Sequence, residues 1–402
     1  MIDAVGQINR RSFLDETHVR LGATIIERDG LSVPESYGDV PAEYATVRDG
    51  GAGVIDLSNR GRLLVSGSEA VQFLNGLITN DMKTLAEHSW MPAAFPNVQG
   101  RLNACVRVVH LKTYQTGKKA SATFLIDTEA ATYERVLKTI ERFTLAGDFH
   151  VRDVSSETAM LSVQGAKAAE LVKTVLGEAA AALAPYQMTR LERPRLEADS
   201  DDERGEGRGG TEEMQRDLEG VIAMRATHTA EDGFDLVVNA AHAAALWQEL
   251  QTAGARPVGH QALEILRIEA GSPRFGVDMD DTNVVTEVLE DAVSYTKGCY
   301  VGQEIIARIK YRGHVAKKLS GIAFDRVAKV AAGVAIKSVD DKEVGRVTSV
   351  TESPRLGRTI ALGVLKFDYL AAGTKLKVVA GDEELPAQVT ELPFVRGSWY
   401  SD

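Results

Sequence analysis

Residues 297–308 read Lys-Gly-Cys-Tyr-Val-Gly-Gln-Glu-Ile-Ile-Ala-Arg and bring together a thiol, a phenol, an amide and charges of both signs. Gly298 and Gly302 allow the backbone to bend and to approach a neighbouring segment closely. Core packing alone explains this mixture of reactive groups poorly, so we expect a functional loop. The alternative is a tight turn before a helix or strand, with Cys299 as a small buried hydrophobic residue.

The first eight of these residues resemble the signature of the YgfZ family, folate-binding relatives of the glycine cleavage T-protein that support iron–sulfur enzymes. That signature reads Lys-Gly-Cys-Tyr-x-Gly-Gln-Glu, and every specified position matches. The resemblance makes Cys299 a candidate reactive thiol, and Lys297 and Arg308 could increase its thiolate fraction. Since no histidine lies within the motif, a redox-sensitive or sulfur-accepting thiol is a better interpretation than a hydrolytic one. The signature residues are Lys297, Gly298, Cys299, Tyr300, Gly302, Gln303, Glu304 and Arg308.

The composition is that of a globular protein and limits the possible functions. At 402 residues the chain exceeds one core, so two or three structural units are expected. A net charge of −11 argues against a broad cationic surface, and no direct nucleic-acid partner is predicted. The two cysteines, Cys105 and Cys299, form no disulfide or zinc pattern, so no metal site is expected. Without an apolar leader or a run of about 20 apolar residues, the sequence predicts a cytoplasmic protein with no membrane partner.

A strand–glycine–helix pattern occurs twice and predicts two related α+β halves. The first copy runs through residues 62–77 with its glycine at Gly67, and the second runs through residues 161–176 with its glycine at Gly165.

Two further segments resemble parts of the T-protein that surround folate. Residues 229–235 read Thr-Ala-Glu-Asp-Gly-Phe-Asp where the family has Thr-Gly-Glu-Asp-Gly-Phe-Glu, and residues 262–271 contain Leu-Arg-Ile-Glu-Ala-Gly. The resemblance implies that Asp235 holds the pterin ring by accepting two hydrogen bonds, although aspartate is one methylene shorter than glutamate. It also implies that Arg267 meets the anionic glutamate tail of folate. Glu269 is a secondary folate-binding candidate, because a structural ion pair is an equally good interpretation.

Departures from the T-protein pattern concern the catalytic groups. In T-proteins a Gly-Gly-x-x-Asp-Asp segment supplies a catalytic aspartate, and the matching residues 99–104 read Gln-Gly-Arg-Leu-Asn-Ala here. Asn103 and Ala104 cannot take a proton or stabilise a developing cation as a carboxylate does. Asn59 and Arg60 likewise replace a His-Met pair of the family. The sequence therefore predicts that the T-protein fold is retained and that the glycine cleavage reaction is not completed.

The end of the chain predicts a small antiparallel β-barrel. Six short β-type runs lie between residues 319 and 392. A weakly hydrophobic segment at 190–219 is expected to be an exposed insertion. We therefore expect an α+β protein with a folate-binding body at 1–315 and a β-barrel domain at 316–402. The family resemblance adds that the body consists of two intertwined ferredoxin-like halves.

The resemblance implies a tetrahydrofolate-binding protein that supports iron–sulfur cluster assembly or repair and, through it, tRNA modification. Its cofactor would be tetrahydrofolate or a derivative, and its partners would be iron–sulfur client proteins. Two alternatives stay open. One is a folate-dependent aminomethyltransferase, which needs a carboxylate from elsewhere in the fold, and the other is a non-catalytic docking protein that binds no folate.

Overall fold

The computed structural model describes residues 12–116, 119–144, 147–192, 218–381 and 383–400. Most of the insertion predicted at 190–219 therefore lies outside the described residues. In chain order, the α-helices are α1 (Asp15–Arg20), α2 (Val40–Arg48), α3 (Ala70–Leu77), α4 (Ala130–Glu141), α5 (Ala168–Leu176), α6 (Glu178–Ala181), α7 (Ala243–Thr252), α8 (His260–Glu269), α9 (Val285–Val288) and α10 (Gln303–Arg312).

The strands form a hairpin, two larger sheets and a barrel. In chain order they are β1 (Thr24–Arg28), β2 (Leu31–Ser36), β3 (Gly53–Asp56), β4 (Gly61–Gly67), β5 (Ser89–Pro96), β6 (Leu102–Thr116), β7 (Lys119–Thr128), β8 (His150–Asp153), β9 (Thr158–Gln164), β10 (Met188–Leu191), β11 (Val221–Arg225), β12 (Gly233–Asn239), β13 (Arg256–Pro257), β14 (Lys317–Phe324), β15 (Ala335–Ser338), β16 (Glu343–Ser353), β17 (Arg358–Lys366), β18 (Lys375–Ala380) and β19 (Glu383–Thr390). β1 pairs with β2, a six-stranded sheet has the order β10-β11-β12-β9-β3-β13, and a five-stranded sheet has the order β5-β6-β7-β4-β8.

The predicted repeat is present as one strand–glycine–helix unit in each larger sheet. β4 leads through Gly67 into α3, and β9 leads through Gly165 into α5. Both glycines have a positive φ, 128° and 134°. A Cβ would lie 2.1 Å from the carbonyl oxygen of Asp148 at the first glycine and 2.4 Å from that of Gly51 at the second, so neither position accepts a larger residue. The two α+β halves are intertwined, because β3 precedes β4 in the chain but lies in the sheet of the second half.

Each half buries an apolar core between its sheet and its helices, and a third core lies between the two sheets. Trp247 belongs to the core of the six-stranded sheet, and Phe124 belongs to that of the five-stranded sheet. Leu64 and Met160 are in the third core. Packing of the two sheet faces therefore fixes the halves relative to each other.

Arg62 is a fully buried cation at the junction of the two halves. Burial lowers its pKa to about 10. Its guanidinium fastens the β3–β4 connection to the β8–β9 connection. The carbonyl groups to which it donates belong to Ser58, Arg60, Ser155 and Thr158.

The predicted antiparallel barrel is confirmed, with six strands in the closed order β14-β17-β16-β15-β18-β19. It packs on α8, where Ile268 forms an apolar cluster with Ile360 and Leu362. The Thr348 hydroxyl of the barrel donates to Asp278 of the body at 2.6 Å. The division of the chain at residue 315 stays a prediction.

The segment that follows the barrel returns to the body. The backbone N–H and hydroxyl of Ser398 donate to the Glu231 carboxylate at 2.7 and 2.6 Å. The Trp399 N–H donates to the carbonyl of Ala230 at 3.2 Å. Glu231 also pairs with Arg48 at 2.7 Å, so the end of the chain is tied to α2 through buried charges.

Replacement of Arg62 by methionine should lower the free energy of unfolding by about 3 kcal/mol, because several buried carbonyl groups lose their donor. Urea denaturation of the full chain measures the change. Arg142→Met, at an exposed arginine that follows α4, is the control and should leave the midpoint nearly unchanged. Similar midpoints for the two variants would show that Arg62 does not hold the halves together.

Candidate functional site

A cavity of about 1090 Å³ lies where both halves meet the barrel. Strands β5 and β6 contribute to its wall, together with the loop before β12, helix α8, and barrel strands β14 and β19. This volume is sufficient for a cofactor-sized ligand. The charged and aromatic side chains that line the cavity include Arg60, Trp90, Arg107, Glu129, Tyr186 and His228.

A row of alternating charges forms one side of the cavity, and we call it the charge row. Asp127 on β7 accepts from Arg60 and Arg107, each at 2.7 Å. Arg107 on β6 also pairs with Asp235 on β12, and His228 contacts Asp235 at 2.9 Å. Burial alone would raise the pKa of Asp127, but Arg107 and Arg60 outweigh it and hold the pKa at about 2. Burial is outweighed at Asp235 too, where His228 and Arg107 lower the pKa of the carboxyl.

Two aromatic rings lie beside the charge row. The rings of Trp90 and Tyr186 are 4.8 Å apart between centroids. The Trp90 indole donates to the carbonyl of Arg225 at 3.1 Å, and the Arg107 guanidinium lies 5.6 Å from the Trp90 ring. Flat apolar faces next to fixed hydrogen-bond donors suit a planar ligand with polar edges.

Asp235, the predicted pterin contact, is fully buried and already paired. Its carboxylate accepts from Arg107 and His228, and these two side chains line the cavity whereas Asp235 does not. Asp235 therefore orients two donors toward the cavity. Direct contact with a ligand would require one of them to move, and the role of Asp235 in folate binding stays a prediction.

Arg267, predicted to meet the folate tail, lines the cavity but has partners within the protein. Its guanidinium pairs with Glu264 and with Asp278, the latter at 2.6 Å, and donates to the Ser349 hydroxyl at 2.7 Å. These contacts join α8 to the barrel. The prediction that Arg267 binds the folate tail stays untested.

Glu269 is fully buried at the end of α8 and lies in an ion-pair network. It pairs with Arg48 at 2.9 Å and accepts from the Tyr44 hydroxyl at 2.8 Å and from the Ser353 hydroxyl. This is the structural ion pair that the sequence left open as an alternative. Contact of Glu269 with folate stays a prediction.

Lys297 holds the signature loop in place. Its ammonium group donates to the carbonyls of Asn75, Ile78 and Asn80 at 2.8, 2.8 and 2.6 Å, around the end of α3. It also lies 5.0 Å from the centroid of the Tyr300 ring. Burial lowers the pKa of Lys297 to about 8.

Gly302 places the signature loop against the turn that precedes β6. Its φ is 76°. A Cβ there would lie 2.3 Å from the Asn97 carbonyl oxygen and 3.0 Å from the backbone of Gly100. The loop therefore packs on the segment where Asn103 and Ala104 depart from the T-protein pattern.

The other signature residues differ in exposure. Tyr300 is buried, Gln303 is half-buried at the start of α10, and Glu304 and Arg308 are exposed on that helix. Gly298 has no neighbouring atom within 4 Å of an added Cβ, so its position is open.

Cys299 and Cys105 lie in different environments. Cys299 is exposed, which does not fit the alternative of a buried hydrophobic residue. Cys105 is half-buried on β6, with its sulfur 3.7 Å from that of Met279. Burial raises the pKa of the Cys105 thiol well above its ordinary value.

The cavity wall includes residues that no sequence pattern marks, among them Trp90, Arg107, Glu129 and His228. Arg107 had the clearest signal, since it is a charged residue within the apolar run at 104–109 and a buried charge needs a partner. The identity of that partner depends on the fold.

Neither a metal centre nor a membrane span is found in the described part of the chain. No three histidine, cysteine, aspartate or glutamate residues there are grouped so that they could hold a metal ion. None of its helices has the length and apolar character needed to cross a membrane.

An α/β body with two intertwined halves and a C-terminal β-barrel around one cavity defines the T-protein architecture. The chain belongs to the glycine cleavage T-protein family. Residues 14–196 and 208–297 match the family model described as the GCVT N-terminal domain, and residues 317–396 match the glycine cleavage T-protein C-terminal barrel domain.

The chain is similar along nearly its whole length to proteins named aminomethyltransferase. That of Thermotoga neapolitana is 32% identical, with 97% of this chain and 98% of the relative covered. That of Rubrobacter xylanophilus is 31% identical, with 96% and 94% covered. The crystal structure of the glycine cleavage system aminomethyltransferase T from Bartonella henselae superposes with a TM-score of 0.81 at 20% identity, with 96% of this chain and 98% of that chain covered, which supports the fold. The T-protein superfamily is thus confirmed, and the YgfZ-type subfamily stays a prediction.

Replacement of Gly302 by alanine should lower the free energy of unfolding by about 1 to 3 kcal/mol, because the new Cβ would overlap a backbone carbonyl oxygen and φ is positive. Thermal denaturation provides the measurement. Gly298→Ala in the same loop is the matched control and should be nearly neutral, since the space around it is open. Equal effects at the two positions would contradict the packing of Gly302 on the turn before β6.

Proposed function

We propose that the protein binds a reduced folate in the cavity and transfers a one-carbon unit to or from it, as a folate-dependent aminomethyltransferase. The observation that carries this proposal is a cavity lined by Trp90, Arg107 and His228 in a chain that matches aminomethyltransferases along nearly its whole length. The names of these relatives favour this alternative over support of iron–sulfur enzymes.

The residues of the cavity fit such a ligand. A volume of about 1090 Å³ accommodates a pterin, an aminobenzoyl group and a glutamate tail. Trp90 and Tyr186 offer ring faces to planar groups. Arg28 and Arg274 also line the cavity and supply positive charge that suits the carboxylates of the tail.

The protein's own groups would bind and orient the ligand. When bound, tetrahydrofolate supplies the amine nitrogens that carry the one-carbon unit. Asp127 and Asp235 hold the Arg107 guanidinium in one orientation. The N–H groups of Arg107 that these carboxylates do not accept can therefore bind a ligand without a further loss of side-chain entropy. The ring of Trp90 beside it excludes water and strengthens these hydrogen bonds.

A second candidate function is folate-dependent support of iron–sulfur cluster assembly or repair without one-carbon transfer. Two observations favour it. Asn103 and Ala104 stand where transferases carry carboxylates, and the exposed Cys299 lies in a loop that packs on the turn before them. Under this candidate the fold binds folate and the loop contacts an iron–sulfur client.

Folate binding should raise the melting temperature of the protein by several degrees at a tetrahydrofolate concentration of about 100 Kd, where binding adds about 2.7 kcal/mol. Trp90→Leu should weaken the affinity about tenfold, because a ring face is lost. Tyr311→Leu, which alters an exposed aromatic residue outside the cavity wall, is the control and should leave the affinity unchanged.

Reconstitution with the other glycine cleavage proteins and a ¹³C-labelled donor then separates the candidates. Appearance of the label on folate at the rate of an authentic T-protein supports the transferase. Folate binding without transfer supports the second candidate, and absence of any binding eliminates both in favour of a docking protein.

Cys299→Ser tests the second candidate directly, because a hydroxyl is far less acidic than a thiol and ligates soft metals poorly. The variant should keep its stability and folate affinity but fail to restore iron–sulfur enzyme activity under oxidative stress in a strain that lacks its own copy. Cys105→Ser is the matched control and should complement. Full rescue by Cys299→Ser would remove the thiol from the mechanism.

A further inference from the structure

Glu129 is a half-buried, cavity-lining carboxylate at the junction of β7 and α4. It caps α4 with extended backbone angles of −65° and 148°, so it continues the direction of β7. The preceding residue, Thr128, pairs with Val106 of β6. One further step in the antiparallel register places Glu129 beside Cys105.

The register also fixes the face on which Glu129 lies. Side chains alternate along a strand, so Asp127 and Glu129 share one face of β7. The ion pair between Asp127 and Arg107 shows that this face is shared with Arg107 and Cys105 of β6. Asn103 is two residues before Cys105, at a shift in the register of β6 with β5. Glu129 therefore brings a carboxylate from the end of β7 to the face of Arg107 and Cys105, near the part of β6 that carries an amide at Asn103.

The Glu129 carboxylate retains hydrogen-bonding capacity. It accepts from the backbone N–H of Phe275 at 3.2 and 3.4 Å, whereas a carboxylate offers about four lone pairs. Burial raises the pKa of Glu129 above its ordinary value, and Asp127 acts in the same direction. Arg60 and Arg274 oppose this shift. A hydrogen-bond donor of a ligand would therefore stabilise the charge of the partly desolvated Glu129 carboxylate.

We propose that Glu129 supplies the carboxylate that β6 lacks, by accepting a hydrogen bond from a ring N–H of a reduced pterin in the cavity. This inference rests on the folate binding proposed above and adds the residue that selects the oxidation state of the ligand. The reduced pyrazine ring carries N–H groups where the oxidised ring of folic acid has lone pairs. A carboxylate accepts from the former and repels the latter, so Glu129 favours tetrahydrofolate over folic acid.

The test is the ratio of the Kd for folic acid to the Kd for tetrahydrofolate, measured by anaerobic calorimetry on the full chain. Glu129→Gln should reduce this ratio by about tenfold or more, because a charge-assisted hydrogen bond is lost. Its amide oxygen can still accept from Phe275, so the local fold has its partner. A purely structural Glu129 would weaken both ligands equally and leave the ratio unchanged.

Two further variants sharpen the test. Glu134→Gln alters an exposed glutamate of α4 and should leave the ratio at the wild-type value. Glu129→Asp keeps the charge but moves the carboxylate back by one methylene. If Glu129→Gln does not fold, the ratio of the two Kd values is measured on Glu129→Asp instead.

The outcomes separate this inference from the proposed function. If the wild type binds tetrahydrofolate and Glu129→Gln keeps the same ratio, Glu129 is not the selecting group and folate binding stands. If Glu129→Gln does not fold and Glu129→Asp keeps the wild-type ratio, the inference is likewise overturned. If the wild type binds neither ligand, the proposed function and the inference are both wrong.

Discussion

The alternating order of charges across the two sheets is the constraint on which the candidate site depends. Asp127 and Asp235 are fully buried, Arg107 is half-buried at the cavity wall, and each is compensated by an oppositely charged neighbour. Loss of Arg107 would leave Asp127 with Arg60 alone and Asp235 with His228 alone, and removal of one partner from buried charges is strongly destabilising. The pair of Arg107 with Asp235 therefore joins β6 to β12 of the other sheet, whereas β6 and β7 are already neighbours through their backbone hydrogen bonds.

The elements that the sequence predicts are those specified by local patterns. The barrel is recognisable because each strand carries its own alternation and turn residues. The repeated halves are recognisable because Gly67 and Gly165 stand at the same point of a strand–glycine–helix pattern. Both patterns lie within a few neighbouring residues, so a single sequence is sufficient to reveal them. The carbonyls of Asp148 and Gly51, which exclude a side chain at the two glycines, are distant in the chain and are known only from the fold.

Such local patterns do not reveal which residues a buried side chain contacts. Asp235 and Arg107 are 128 residues apart, and Glu269 and Tyr44 are 225 residues apart. A motif can indicate that Asp235 is a candidate carboxylate, but only the packing of β12 against β6 determines that its oxygens face a guanidinium. For the same reason Glu129, which belongs to no motif, becomes a candidate only when the strand register places it beside Cys105.

The return of the chain from the barrel to the body limits how the cavity can exchange its contents. Ser398 and Trp399 bind the segment that carries Glu231, while Arg267 and Asp278 hold the other side of the barrel. These two sets of contacts oppose movement of the barrel away from the body. Entry of a molecule by movement of the barrel away from the body would have to break both sets of contacts.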